Sequence, residues 1–185
     1  MSDNQLTVAI LVGSLRAASV NRQLAEVAVE NLPAGVSASI VEGIGDLPFY
    51  NEDIDLEDSV PAGVVELRDA VAAADAVLLV TPEYNGTLPA VLKNAIDWLS
   101  RPYGAGAMGG KPVGVIGAAM GQYAGTWSRQ DTRKTVGVAG ARVVEDVEIG
   151  LITGQLDDEG VRSEAIVGQV TGAVRVLVDS VAVTV

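Results

Sequence analysis

Three stretches hold the residues of this chain that could do chemistry: GSLRAAS at 13–19, TPEYNGTLP at 81–89 and GAAMGQYAG at 117–125. In and just after the first, Ser14, Ser19 and Asn21 stand beside the free N–H groups that open a helix, with Gly13 for the turn and Arg16 as a charged fork. The amides and dipole of a helix start favour an anion, and a guanidinium matches phosphate geometry, so this stretch can cradle a phosphate. The same residues also suit a plain connection, with Ser19 as an N-cap and Arg16 on the surface. The stretch is neither GxGxxG nor a Walker-type phosphate loop, which disfavours dinucleotide-binding and NTPase domains of the common kinds. In the second stretch, Pro82 and Pro89 restrict a loop carrying Glu83, Tyr84 and Asn85, and Gly86 lets its backbone bend or approach a ligand. A flat heteroaromatic ligand needs such a wall, with amides at its polar edge and an aromatic or apolar surface along its face. Taken singly, Tyr84 also reads as a partly buried tyrosine and Glu83 as a solvated turn residue.

What is missing narrows the chemistry further. The 185 residues include no histidine and no cysteine. Ser-His-Asp and Cys-His machinery, disulfides and the common zinc sites are thereby excluded, so no metal site is expected and any reaction must run on other side chains or on a bound cofactor. Twelve basic against 24 acidic residues give a formal net charge of −12, which repels phosphate backbones and anionic membranes. Neither nucleic acid nor membrane is an expected partner. The amino-terminal MSDNQLTVAIL carries acid instead of the basic segment of a signal peptide, and no run approaches a membrane span, so a cytoplasmic location is expected.

The elements that must position these stretches alternate along the chain. LTVAILV at 6–12 predicts a buried strand, and Val20, Leu24, Val27, Ala28 and Leu32 recur at helical spacing up to Pro33. A strand over 36–41 precedes an acidic loop at 42–58, read as a solvated surface. Within it, Phe49 and Tyr50 read as local core anchors or as contacts to a second subunit. Ser59 is expected to cap a helix with Pro61 in its first turn, running to Ala74. DAVLLV at 75–80 is a strand buried on both faces, a helix starts at Pro89, and KPVGVIGAA at 111–119 is another buried strand. A weaker helix at 126–140, a strand at 141–149 and a helix at 162–182 complete the pattern. Asn94, Asp97 and Trp98 read as structural, Arg101 as the surface partner of Asp97, and YGAGAMGG at 103–110 as a flexible connection that could help admit a nicotinamide. Alternating strands and helices imply one domain over 1–185: a five-stranded parallel sheet covered on both faces, with ligands beyond the carboxyl ends of the strands.

GSLRAASVNR with TPEYNGTLPAVLKNAIDWLSRP resembles the signature of the NADPH-dependent FMN reductase family, flavodoxin-like enzymes that include chromate, quinone and azo-dye reductases. The resemblance implies an α/β, flavodoxin-like three-layer sandwich with strand order 2-1-3-4-5. It implies FMN as cofactor and NADPH or NADH as donor. In that family the first loop wraps the FMN phosphate, which maps onto Ser14, Arg16, Ser19 and Asn21. The second borders the isoalloxazine ring, which maps onto Pro82, Glu83, Tyr84 and Asn85. Gly117, Ala118 and Ala119 match the third loop, near ring or ribityl chain, only as small residues. Residues 120–138 depart from the family pattern in their Gly, Ser and Thr content. The resemblance further implies a homodimer or homotetramer and a ping-pong reaction with hydride accepted on the flavin. Acceptors would be quinones, azo compounds, metal oxyanions, ferric chelates or free flavin. A flavodoxin-type electron carrier without enzymatic activity is the alternative, and a flavin-free protein on the same architecture is a third.

Overall fold

The structure is a computed structural model that describes residues 5–56 and 58–183. Residues 1–4 of the acidic amino terminus and Glu57 of the acidic loop lie outside the described residues. The elements are β1 (Leu6–Val12), α1 (Val20–Glu30), β2 (Val36–Ile40), α2 (Ala62–Ala73), β3 (Ala76–Val80), α3 (Ala90–Leu99), β4 (Pro112–Ala119), α4 (Thr126–Val138), β5 (Arg142–Ile152) and α5 (Glu164–Asp179). The five strands pair in parallel in the order β2-β1-β3-β4-β5, which is the flavodoxin-like arrangement.

The strands are apolar on both faces because helices cover both, and their twofold period divides the core. From β1 and β3, Val8, Ile10, Ala76 and Leu78 pack with Leu24 of α1 and Val174 and Leu177 of α5. Ala9, Leu11, Val77 and Leu79 point the other way, onto Leu67 of α2 and Leu92 and Trp98 of α3. The buried stripe of α4 differs in kind. It consists of Ser128, Arg129, Thr132, Arg133 and Val136, so its contact with the sheet is largely polar.

Several details depart from expectation. Pro61, not Ser59, is the N-cap of α2; the extended Pro61 backbone starts the helix two residues later than a Ser59 cap would, and the Ser59 hydroxyl donates to the Leu56 carbonyl (3.4 Å). β5 runs to Ile152 because its register against β4 shifts between Val113 and Val115, placing Val143 and then Glu148 opposite them. Asp97 does not pair with Arg101. α3 ends at Leu99, so Arg101 has left the helix before it can reach the Asp97 side; Lys93, one turn earlier, takes that carboxylate at 2.7 Å.

The acidic loop lies on α3 at specific points instead of being wholly solvated. Trp98 Nε1 and Asn94 Nδ2 both donate to the Pro48 carbonyl (2.8 and 3.0 Å), and the Tyr50 N–H donates to Asn94 Oδ1 (2.8 Å). The Tyr50 ring meets Trp98 edge to face at 4.9 Å, with the Arg101 guanidinium 5.4 Å from the Tyr50 ring centre. Tyr50 is therefore the local anchor, whereas Phe49 is 80% exposed. Residues 103–110 connect α3 to β4 at the amino end of the sheet, where Lys111 Nζ donates to the carbonyls of Ala72 and Ala74 (3.0 and 2.6 Å). This connection is pinned by the buried Met108 and borders a groove of about 840 Å³, at the opposite end of the sheet from the three loops. A role in admitting a ligand to its own chain's loops is not supported by that position.

Candidate functional site

β1, β3 and β4 end side by side where the strand order reverses, and the loops that follow them meet there. The first loop is closed by the Gly13 N–H donating to Val80 O (2.9 Å) and the Ser19 N–H donating to Arg16 O (3.1 Å). Gly13 is needed for proximity: a Cβ there would fall 3.2 to 3.3 Å from Pro89 and Leu92, at the start of α3. Ser19 does cap α1, its Oγ accepting from the Arg22 N–H (3.2 Å). Among the described residues, the N–H groups of Ser14 to Ala18, Val20 and Asn21 donate to nothing, and Arg16 is exposed and unpaired. A row of free donors at a helix start, next to a free guanidinium, fits an anion of phosphate size.

Asn21 points elsewhere. Its Nδ2 donates to the Ala118 carbonyl (2.9 Å) and its Oδ1 accepts the Ala118 N–H (2.8 Å), both buried. The carboxamide thus mimics a paired backbone and ties α1 to the end of β4, so the Asn21 side chain is a structural link while its own N–H stays among the free donors of the helix start. Gly117 and Ala118 stand at the base of the third loop. Both belong to β4 and are buried, and a Cβ on Gly117 would run into the Thr81 carbonyl. Gly117 serves the close approach of the β3 and β4 ends, and the exposed part of the third loop begins at Met120.

The second loop is a two-residue reversal in which Tyr84 and Thr87 exchange backbone hydrogen bonds (3.1 and 3.2 Å). Asn85 (φ 52°) and Gly86 (φ 77°) both take the left-handed conformation that an Asn-Gly turn of the primed type requires. The turn leaves the N–H groups of Glu83 and Asn85 without partners among the described residues, and Tyr84 half exposed. The Glu83 side chain, in contrast, is turned to α4. Gly125 opens that helix at φ 72° and offers no side-chain cap; Glu83 Oε2 instead accepts the Ser128 N–H (3.1 Å). An acidic group there also complements the helix dipole.

Further bonds join the second loop to α4. Thr81 Oγ1 and Ser128 Oγ lie 2.8 Å apart, Ser128 Oγ donates to Pro82 O (2.7 Å), and Thr87 Oγ1 donates to Asp131 Oδ2 (2.7 Å). Sequence reasoning passed over Thr81, Ser128 and Asp131, together with the buried Arg129 and Arg133. The available signal was polar residues recurring at helical spacing on α4, which a search for apolar stripes does not register. Arg133 Nη2 donates to Val115 O and Val147 O (3.2 and 3.1 Å), the carbonyls flanking the register shift of β5.

Two charged features border the loops. Arg22 binds Glu42 through both nitrogens (2.9 and 2.6 Å), beside a cavity of about 280 Å³ next to Ser14 and Leu15. These hydrogen bonds hold the Glu42 carboxyl below its ordinary range and raise the Arg22 guanidinium. On the third-loop side, Tyr123 and Trp127 are half exposed with ring centres 5.1 Å apart. Trp127 also reaches the second loop, lying 3.9 Å from where a Gly86 Cβ would stand.

A doubly wound parallel sheet with a free-donor cradle and a rigid turn at its switch point defines the class of flavodoxin-like, cofactor-binding α/β proteins. The family model described as NADPH-dependent FMN reductase matches residues 6–154, and the chain belongs to that family of FMN-dependent oxidoreductases. It is 46% identical over 130 residues to a quinone reductase of Pseudomonas putida, covering 70% of this chain and 69% of that one. To a quinone reductase of Escherichia coli it is 36% identical over 157 residues, 84% and 83% of the two chains. The solved structure of FerB, a flavoenzyme NAD(P)H:(acceptor) oxidoreductase from Paracoccus denitrificans, superposes with a TM-score of 0.84 at 33% identity, over 96% of this chain and 97% of that one. No helix among the described residues is long and apolar enough to cross a membrane.

Proposed function

We propose that the chain binds FMN at the carboxyl edge of its sheet as one domain and uses NAD(P)H to reduce quinones. Azo compounds, metal oxyanions and free flavin are further acceptors of the same open site. The observation that carries this reading is the row of unpartnered N–H groups around the unpaired Arg16, adjoining the fixed turn of the second loop. When bound, FMN supplies a ring that accepts hydride from the nicotinamide and passes electrons on. Ser14, Ser19, Arg16 and the free amides of the first loop would hold its phosphate. Pro82 to Asn85 would border the ring, with the Glu83 and Asn85 N–H groups facing its polar edge. With no histidine in the chain, these residues would act by position and electrostatics, holding a bound ring in one orientation. Donor and acceptor take turns at one face. Quinones come first among acceptors in this reading, which the names of the relatives in P. putida and E. coli support. The active form is a homodimer or homotetramer in the cytoplasm, the compartment that supplies reduced nicotinamide.

The test is anaerobic reduction of the FMN-loaded protein. NADPH or NADH should bleach the flavin band, and a benzoquinone should restore it. A band that both nucleotides leave unchanged overturns the reductase reading, and reduction only by a protein donor would mark an electron carrier instead.

A further inference from the structure

Arg129 is a buried cation of α4 that lies against the third loop. Its side chain is 6% exposed. Nη1 donates to the Ala124 carbonyl, and Nη2 faces Thr126 Oγ1 (3.5 Å) and Glu148 Oε1 (3.3 Å). The Nε atom is buried without a partner. The guanidinium fits because residue 150 is glycine: a Cβ there would fall inside it. Above it, Ala124 (φ 52°) and Gly125 (φ 72°) reverse the chain from the third loop into α4. A residue with a Cβ holds a left-handed conformation only when its surroundings impose it. Around Ala124 those surroundings are its own N–H donating to Gly121 O (3.0 Å) and its carbonyl accepting from Arg129.

We propose that Arg129, seated on Gly150, is a positioning residue of the flavin site. It fixes the third loop from beneath, and it places an enclosed positive charge behind that loop. This inference rests on the FMN reading above. The charge follows from burial: the carboxylate facing Arg129, Glu148, is 53% exposed and also lies 3.6 Å from Arg133, so water screens the anion more than the cation. Reduction of a flavin adds negative charge, and an enclosed cation behind the wall favours the reduced form. Shape and charge make separate predictions, because lysine keeps the charge and loses the fork.

The experiment compares wild type with Arg129→Met, Arg129→Lys and Gly150→Ala. FMN affinity is read by quenching of flavin fluorescence on titration with apoprotein, midpoint potential by anaerobic equilibration with dyes, and folding by thermal melting of the apoprotein. Arg129→Met should bind oxidised FMN at least tenfold more weakly. It should lose a further tenfold for the reduced form, a fall of about 30 mV for a two-electron couple. Arg129→Lys should show the affinity loss with less than half of that potential shift. Gly150→Ala keeps the arginine but removes its seat, and should reproduce the affinity loss; it decides the matter if Arg129→Met does not fold. Binding within twofold of wild type and an unchanged potential, in a folded Arg129→Met or in Gly150→Ala, overturns the proposal. A wild-type protein that does not bind FMN overturns the FMN reading instead.

Discussion

Arg16 and Asn21 belong to the same short segment, and their side chains do opposite things. Arg16 is exposed and unpaired, so Arg16→Ala should leave the melting temperature of the apoprotein unchanged to within about 1 °C, as expected for surface substitutions. Loss of a charge-assisted bond of about 1.5–3 kcal/mol should nevertheless weaken FMN binding roughly tenfold to a hundredfold in a fluorescence titration. Asn21→Ala should do the reverse. It strands the buried N–H and C=O of Ala118, at about 1–3 kcal/mol each, so urea unfolding should show a loss of roughly 2–6 kcal/mol. An Asn21→Ala protein of wild-type stability with crippled cofactor affinity would mark the Asn21 side chain as a phosphate ligand instead. The two residues could not be separated from sequence, since a helix cap, a phosphate ligand and a backbone mimic draw on the same short polar side chains. Gly117 was opaque for a similar reason: a glycine at a strand end reads alike whether it faces a ligand or, as here, the Thr81 carbonyl.

At the scale of elements, legibility followed apolarity. β1, β3 and β4 announced themselves as continuous apolar runs, and Leu92, Ile96 and Leu99 marked the inward stripe of α3. α4 read as weak because its inward stripe carries Ser128, Arg129, Thr132 and Arg133; Thr132 bonds one turn back, but Ser128, Arg129 and Arg133 also reach partners far off in the chain, in the second loop and in the shifted register of β5. Nothing local encodes such a match. The contact between α1 and the segment after β2 yields a pH prediction. Arg22 holds the Glu42 carboxyl below its ordinary 4.5, so the pair contributes stability above about pH 4.5 and loses it as pH falls through the lower folded value. Glu42 is 68% exposed, which keeps the contribution under about 1 kcal/mol. The stability difference between wild type and Glu42→Gln, measured by urea unfolding, should therefore be small at pH 7 and vanish in acid.

For the whole molecule, the charge of −12 meets a polyanionic donor. Repulsion at long range slows the approach of NADPH, and salt screens it, so raising ionic strength from about 20 to about 200 mM should lower the KM for NADPH while kcat changes little. A KM that rises with salt would instead point to cationic steering. The bonds that run between the loops have another consequence, which concerns time. Asn21 joins α1, just after the first loop, to β4, and Glu83, Thr81 and Thr87 join the second loop to α4, and all of these bonds run between protein groups and need no cofactor to complete them. FMN should accordingly meet a finished receptor. Stopped-flow association ought to be a single exponential whose rate climbs linearly with concentration, without the plateau that a closing step would introduce.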